Sequence, residues 1–185
     1  MEYLHIDDNL FLERIKLSYA GIIFEAIDSN REFLGKWLPF ADQTKKVTDT
    51  QTFIKSVLDK PENQREDVYC IWFKNEFAGL IGFKDTDRVN CKTELGYWMV
   101  EKFQGKGIAT KAVSKLVNFA FGKMKINRVQ IKVAVGNTKS AAIPKRLNFK
   151  FEGIEREGEK HFNQFFNLEV YSCLKKEWAD LLKAP

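Results

Sequence analysis

The feature that most constrains this chain is the run Gln104-Gly105-Lys106-Gly107-Ile108-Ala109. It lies between a strand-like segment ending Glu94-Leu95-Gly96-Tyr97-Trp98-Met99-Val100 and a helix. Two glycines this close together give the backbone freedom that other residues lack, so several N–H groups can converge on one point without a side chain in the way. The helix is legible from its apolar stripe: Ile108, Ala112, Leu116 and Ala120 recur at i+4, Ala109 and Val113 flank them, and Gly122 ends it. A strand, a glycine turn and a helix N-terminus in that order make a cradle for a phosphate, because orphan amides and the helix dipole both favour negative charge there. Two familiar cradles are excluded. A Walker loop needs Lys and then Ser or Thr after its last glycine, and here Ile108 follows Gly107; a dinucleotide fingerprint needs a third glycine. Taken alone, the loop could also be a helix-opening turn that binds nothing.

At 185 residues and 44% hydrophobic content the chain suits one packed α/β domain, expected to span 1–185, and is short for two. The formal charge of +5, from 30 basic and 25 acidic residues, is spread along the sequence. With no basic block or aromatic-basic module, the reading is no nucleic-acid partner and an attraction for a small acidic ligand instead. Cys70, Cys91 and Cys173 are far apart and match no metal signature, so no metal is expected and the thiols read as reduced, two of them in apolar runs. The N-terminal residues lack the basic and apolar regions of a signal peptide, and no run approaches the ~18 apolar residues of a membrane span. A cytoplasmic protein without membrane contact is the expectation.

In chain order, 9–16 reads as a first strand, and Ser18 as the cap of a helix through about Ile27. Trp37, Leu38, Pro39 and Phe40 follow, with Pro39 stopping any helix. Residues 47–59 read as a helix capped at Thr48 or Asp49, and the polar run through Asp67 as a loop. Val68 to Phe73 and Phe77 to Phe83 form a hairpin around Lys74, Asn75 and Glu76, with Gly79 and Gly82 placed to admit a close backbone. After the strand and the loop helix come a strand over 128–135, a short helix from about Ser140 to Leu147, and strands near 150–157 and 165–174. The last two strands would pair across a loop at His161. His5 and His161 both read as surface residues.

That element order, with Q-x-x-G-x-A after Glu94-Leu95-Gly96-Tyr97-Trp98-Met99-Val100, resembles the GNAT superfamily of N-acetyltransferases over roughly 9–175 and most specifically over 94–149. Trp37-Leu38-Pro39, the Glu94 to Trp98 run and Asn137-Thr138-Lys139-Ser140-Ala141-Ala142-Ile143-Pro144 resemble its RimJ/RimL-like branch, the ribosomal-protein N-terminal acetyltransferases. The resemblance implies an α/β (α+β) fold with a mixed, mostly antiparallel sheet of about seven strands flanked by helices. It implies acetyl-coenzyme A as cosubstrate, with pyrophosphate on Gln104, Gly105, Lys106, Gly107, Ile108 and Ala109, helped by Lys106 or Lys111. Met99 and Val100 would offer backbone groups to pantetheine, and Asn137 would bind the same arm.

Acetyl transfer from a thioester requires a neutral amine and a proton for the departing thiolate. An α-amine of pKa about 7.7–8.0 is roughly a tenth neutral at pH 7, whereas a lysine near 10.4 is almost wholly charged. Glu94, on the strand leading to the loop, is the candidate base, acting through a raised pKa or a bridging water; alternatively it pairs with a neighbouring Lys. Ser140 could hydrogen-bond the sulfur, or simply cap a helix. The tyrosine that often protonates the thiolate in this family is absent, with Pro144 in its place, and Asn148 stands where Gly is usual, a swap an αL cap tolerates. Tyr171 reads as packing rather than as a substitute acid. Trp37 and Phe40 could line an acceptor groove. The acceptor is read as a protein N-terminal α-amine, most plausibly of a ribosomal protein beginning with Ser or Ala. The alternatives are a small amine, such as a polyamine or aminoglycoside, or a non-catalytic acyl-coenzyme A sensor, and a homodimer stays open.

Overall fold

The computed structural model describes residues 2–61, 66–161 and 163–181. They contain an eight-stranded sheet, mostly antiparallel and flanked by helices, and they pack as two compact units: the described residues up to 82 with 97–112, and 83–96 with those from 113 onward. The expectation of about seven strands falls one short.

In the first unit, β1 (Tyr3–Asp7) and β2 (Leu10–Arg14) form a hairpin in which Tyr3 faces Glu13 and Leu4 faces Leu12. The sequence reading missed β1 and took β2 as the first strand. The turn between them is stapled by Asn9 N–H, which donates to Asp7 Oδ1 at 3.1 Å. β3 (Val68–Phe73) pairs antiparallel with β2 and with the first part of β4 (Glu76–Asp87). Lys74 and Asn75 take φ of 51° and 62°, the two positive values of a type I′ turn, which confirms the expected hairpin and extends its second strand to Asp87. The helices are α1 (Ala20–Asp28), α2 (Arg31–Gly35), α3 (Phe40–Gln43) and α4 (Val47–Leu58). Ser18 lies inside a 3₁₀ turn, Leu17–Tyr19, and does not cap α1. Pro39 opens α3 instead of ending a helix, as its fixed φ permits. The N-cap of α4 is Lys46, two or three positions before the expected one; Asp49 accepts from the N–H groups of Lys45 (2.8 Å) and Lys46 (3.0 Å). Much of the polar loop before Asp67 lies outside the described residues.

Gly79 is where the close approach anticipated from the sequence occurs. A Cβ there would stand 2.1 Å from the Trp98 carbonyl oxygen, and its φ is +153°. No other residue lets β4 come this near to β5 (Lys92–Met99), its neighbour in the sheet.

In the second unit, β5 runs parallel to β6 (Arg128–Ala134), with register pairs at Lys92↔Arg128, Thr93↔Val129 and Glu94↔Gln130. On β6, Val129, Ile131 and Val133 are buried, as their alternation predicts. β6 then pairs antiparallel with β8 (Gln164–Leu174), and β8 with the edge strand β7 (Lys150–His161). Three helices complete the chain: α5 (Ile108–Gly122), α6 (Thr138–Arg146) and α7 (Lys175–Leu181), the last unforeseen. Trp178 of α7 is buried and its indole N–H donates to Asn118 Oδ1 at 2.7 Å. Asn148 has φ of 55°, and the Phe149 N–H reaches back to the Pro144 carbonyl at 3.0 Å, the αL closure expected there. His161 is no surface residue: it is 5% exposed with its ring 4.5 Å from that of Phe166, whereas His5 is exposed.

Three strands meet at a polar clamp. Arg128 donates through both guanidinium nitrogens to Glu152, one bond measuring 2.6 Å, and Ser172 Oγ donates to Glu152 Oε1 at 2.7 Å. The Arg128 bonds first, then the serine, hold the Glu152 carboxyl down at about 2 against the opposing effect of burial. A carboxyl whose folded pKa is depressed stabilises the fold above its unfolded value of 4.5 and loses that contribution as pH falls toward 2. Urea unfolding at a series of pH values should therefore show stability falling through this window, and Glu152→Gln should flatten the fall while lowering stability at neutral pH.

Candidate active site

The loop is built as the sequence implied. Gly105 and Gly107 both take φ of +73°, and a Cβ on either would meet nothing within 4 Å, so the demand for glycine is conformational. Lys111 N–H donates to the Gly107 carbonyl at 3.0 Å, which makes Gly107 the N-cap of α5. The amides of Ile108, Ala109 and Thr110 then belong to the first turn, where no intrahelical acceptor exists. Ile108, 2% exposed, anchors that turn in the core. Gln104 stands extended before the glycines, after a 3₁₀ turn at Glu101–Phe103. Of the two lysines expected to help, Lys111 is ion-paired with Asp7 at 2.7 Å, and Lys106 Nζ lies 5.4 Å over the Phe103 ring. The bend gives a helix terminus stripped of side chains at its mouth, which suits a diphosphate.

Upstream, the backbone of Val100 has partners within the fold. Val100 N–H donates to the Ala78 carbonyl at 2.9 Å, which commits that donor within the fold, and the Val100 carbonyl accepts from Phe103 N–H at 3.1 Å. Because hydrogen-bonding groups alternate sides along a strand, Met99 turns its N–H and C=O away from β4. Trp98 packs its ring 6.2 Å from Phe40 and 5.9 Å from Phe77. Trp37 and Phe40 are half-buried in the α2–α3 segment, Phe40 beside the strand that carries Met99.

In the second unit, Glu94 is 2% exposed, and both its oxygens are engaged. Oε1 meets Lys84 Nζ at 2.7 Å; Oε2 accepts from Gln130 Nε2 at 3.0 Å, with Lys132 Nζ at 3.8 Å. Lys132 is bound to Glu155 at 2.7 Å. Burial opposes its charge, but the Glu155 bond and the Glu94 carboxylate outweigh burial and raise its pKa. The sequence reading anticipated a lysine partner but named none of Lys84, Gln130 and Lys132. Alternation puts Gln130 and Lys132 on one face of β6, but only the parallel register reveals that this face meets Glu94.

Asn137 and Ser140 come together at the start of α6, with roles shifted from expectation. Asn137 is the N-cap: its Oδ1 accepts from Ser140 N–H at 3.2 Å, so Ser140 sits in the first turn and is not the cap. Pro144 lies buried inside α6. Tyr171 is 2% exposed, its hydroxyl donates to Glu169 and its ring lies 5.5 Å from that of Phe151, in keeping with packing. Among the described residues no cluster of His, Cys, Asp and Glu could hold a metal ion, and no helix is long and apolar enough to cross a membrane.

The family description "Acetyltransferase (GNAT) domain" matches residues 9–150. YdaF of Bacillus subtilis (strain 168), named as a candidate ribosomal N-acetyltransferase, is 34% identical over 177 residues, which are 94% of this chain and 95% of YdaF. Among solved structures, the microcin self-immunity acetyltransferase MccE in complex with acetyl-coenzyme A and AMP superposes with a TM-score of 0.86 at 28% identity, covering 91% of this chain and 94% of MccE. The ribosomal-protein α-N-acetyltransferase RimL with coenzyme A shares the fold, at a TM-score of 0.88, 23% identity and coverage of 94% and 98%. The chain belongs to the GNAT acetyltransferases. It is an N-acetyltransferase.

Replacing Gly107 by Val places a β-branched side chain at φ of +73° beside the first-turn amides. The strain is of order 1–2 kcal/mol, which a folded domain survives. Calorimetry should show affinity for acetyl-coenzyme A reduced by about tenfold or more in a variant whose melting remains cooperative; unchanged affinity would move the pyrophosphate elsewhere.

Proposed function

We propose that this acetyl-coenzyme A dependent enzyme acetylates a protein N-terminal α-amine, that of a ribosomal protein beginning with Ser or Ala. The observation that carries the reading is the acid-base equipment. A buried carboxylate, Glu94, stands five residues before Met99 on one strand, and the usual tyrosine acid is replaced by the buried Pro144. Such equipment suits an amine that is partly neutral already. A lysine would have to give up a proton held about 2.5 pKa units more tightly, roughly 3.5 kcal/mol. The likeness to YdaF along nearly its whole length supports the same acceptor class.

In this reading the pyrophosphate rests on the amides of 105–109. The pantetheine arm runs along the Met99 side of β5, where the ladder to β6 has ended at Glu94↔Gln130. Asn137 has committed its Oδ1 to the α6 cap, so it serves the arm through its side-chain NH₂. Glu94 takes a proton from the acceptor ammonium at Oε1, the oxygen whose partner Lys84 is half-exposed, while Oε2 stays engaged within the sheet. As the nitrogen bonds to the acetyl carbon the carbon–sulfur bond breaks, and the second proton the nitrogen sheds in becoming an amide replaces the one that the Ser140 hydroxyl gives to the thiolate. Trp37 and Phe40 border the path of the acceptor chain.

Two measurements test this. Glu94→Gln keeps shape and one hydrogen-bond acceptor but cannot take a proton, so kcat should fall by about 10²- to 10⁴-fold with a much smaller change in donor affinity. Wild-type turnover in that variant would make Glu94 purely structural. The acceptor is decided by kcat/KM for a Ser- or Ala-initiated peptide, its N-terminally blocked lysine-containing twin, and spermidine. Preference for the blocked peptide or for spermidine would reject an N-terminal acceptor and leave the acetyltransferase intact.

A further inference from the structure

The two oxygens of Glu94 are held in different ways. Oε2 is fixed from within the sheet, by Gln130 at 3.0 Å and by Lys132 at 3.8 Å, and Lys132 is itself tied to Glu155. Oε1 is met at 2.7 Å by Lys84, whose side chain is 52% exposed while that of the glutamate is 2% exposed. Lys84 therefore reaches the buried carboxylate from solvent. Its route is marked at Gly96, where a Cβ would stand 3.8 Å from Lys84 Cε and 3.9 Å from Cδ. The lysine stem lies over the strand position that shares a face with Glu94, within van der Waals reach of it.

We propose that Lys84 is an internal stand-in for the acceptor: its primary ammonium occupies the place on Glu94 Oε1 that the acceptor's ammonium takes, and the acceptor must displace it to be acetylated. The inference rests on the proposed role of Glu94 as proton acceptor. A lysine head and a peptide α-ammonium present the same three N–H donors to a carboxylate, so one can substitute for the other. Both cannot crowd one oxygen, because like charges at that distance repel. The exchange keeps Glu94 paired at every stage, which matters because an uncompensated buried carboxylate is costly. Lys84 can leave into water at small cost because it is half-exposed, whereas Lys132 is held by its second carboxylate. A neutral hydroxyl or amide offers no charge to replace the lysine, so the device selects for amines. It acts on acceptor binding before any bond is made.

The test uses the full chain with acetyl-coenzyme A or coenzyme A and two acceptors, the Ser-initiated peptide and spermidine. Lys84→Met should lower the KM of the true acceptor by about fivefold, the worth of a partly exposed ion pair, and leave the KM for acetyl-coenzyme A unchanged. Lys84→Arg, which grips a carboxylate with a two-pronged fork, should raise it. In the wild-type chain with coenzyme A, labelling of Lys84 by an amine-selective reagent, mapped by mass spectrometry, should rise severalfold when the acceptor is added. An unchanged or raised KM in Lys84→Met, or labelling of Lys84 that stays level or falls with both acceptors, overturns the proposal. If spermidine and not the peptide gives both signatures, the stand-in role holds and the ribosomal-protein acceptor is rejected.

Discussion

The arrangement of this protein depends on how β5 spends its hydrogen bonds. On one side it is held against β4 to its end, just past which Val100 N–H reaches Ala78, and the approach is so close that only Gly79 fits beneath Trp98. On the other side its parallel ladder with β6 covers Lys92 to Glu94. A strand held on one edge by its neighbour, with its ladder to β6 ending partway along, is a rigid support for an extended ligand. The chain then turns through Glu101–Phe103 and the two left-handed glycines straight into the N-terminus of α5. The strand edge and the amides proposed for pantetheine and phosphate are thus consecutive in the chain.

The same strand carries the charge that most needs compensation. Burying a carboxylate without partners would cost several kcal/mol, and Glu94 meets that cost with one amide and two ammoniums drawn from β4 and β6. Those partners are unequal. Gln130 and Lys132 belong to a strand whose alternate residues, Val129, Ile131 and Val133, are locked in the core, so they hold one oxygen at a set position. Lys84 is solvent-facing and can move. A buried acid with one fixed and one exchangeable partner is suited to trade protons with a visiting amine while the fold around it stays put.

Much of the site was legible in the sequence because its requirements are local. The Gly105 and Gly107 pair, the stripe of α5 and the alternation of β6 are each set by neighbours a few residues away, and each appears where the pattern placed it. Asn148 in the αL region and the hairpin at Lys74 and Asn75 follow from the same short-range chemistry. Errors gathered where competing local signals were close in strength. Ser18 and Ser140 are good caps by residue type, yet a 3₁₀ turn absorbed the first and Asn137 took the second position's role. Strand β1 was missed because Tyr3–Asp7 is short and mostly exposed, so its alternation is faint and its pairing with β2 does the stabilising.

What the sequence by itself determined is the family, most of the order of its elements and the glycine turn that opens α5, because glycine's backbone freedom and helix periodicity operate over a few residues and need no distant partner. Tertiary structure decided the surroundings of Glu94, the commitment of Val100 to Ala78, and the burial of His161 against Phe166. Each of these depends on which strand lies beside which and in what register, and a one-residue slip would present the other face. Lys84 is 10 residues from Glu94 in the chain, and Gln130 is 36 residues away. Only the folded sheet brings them to one carboxylate.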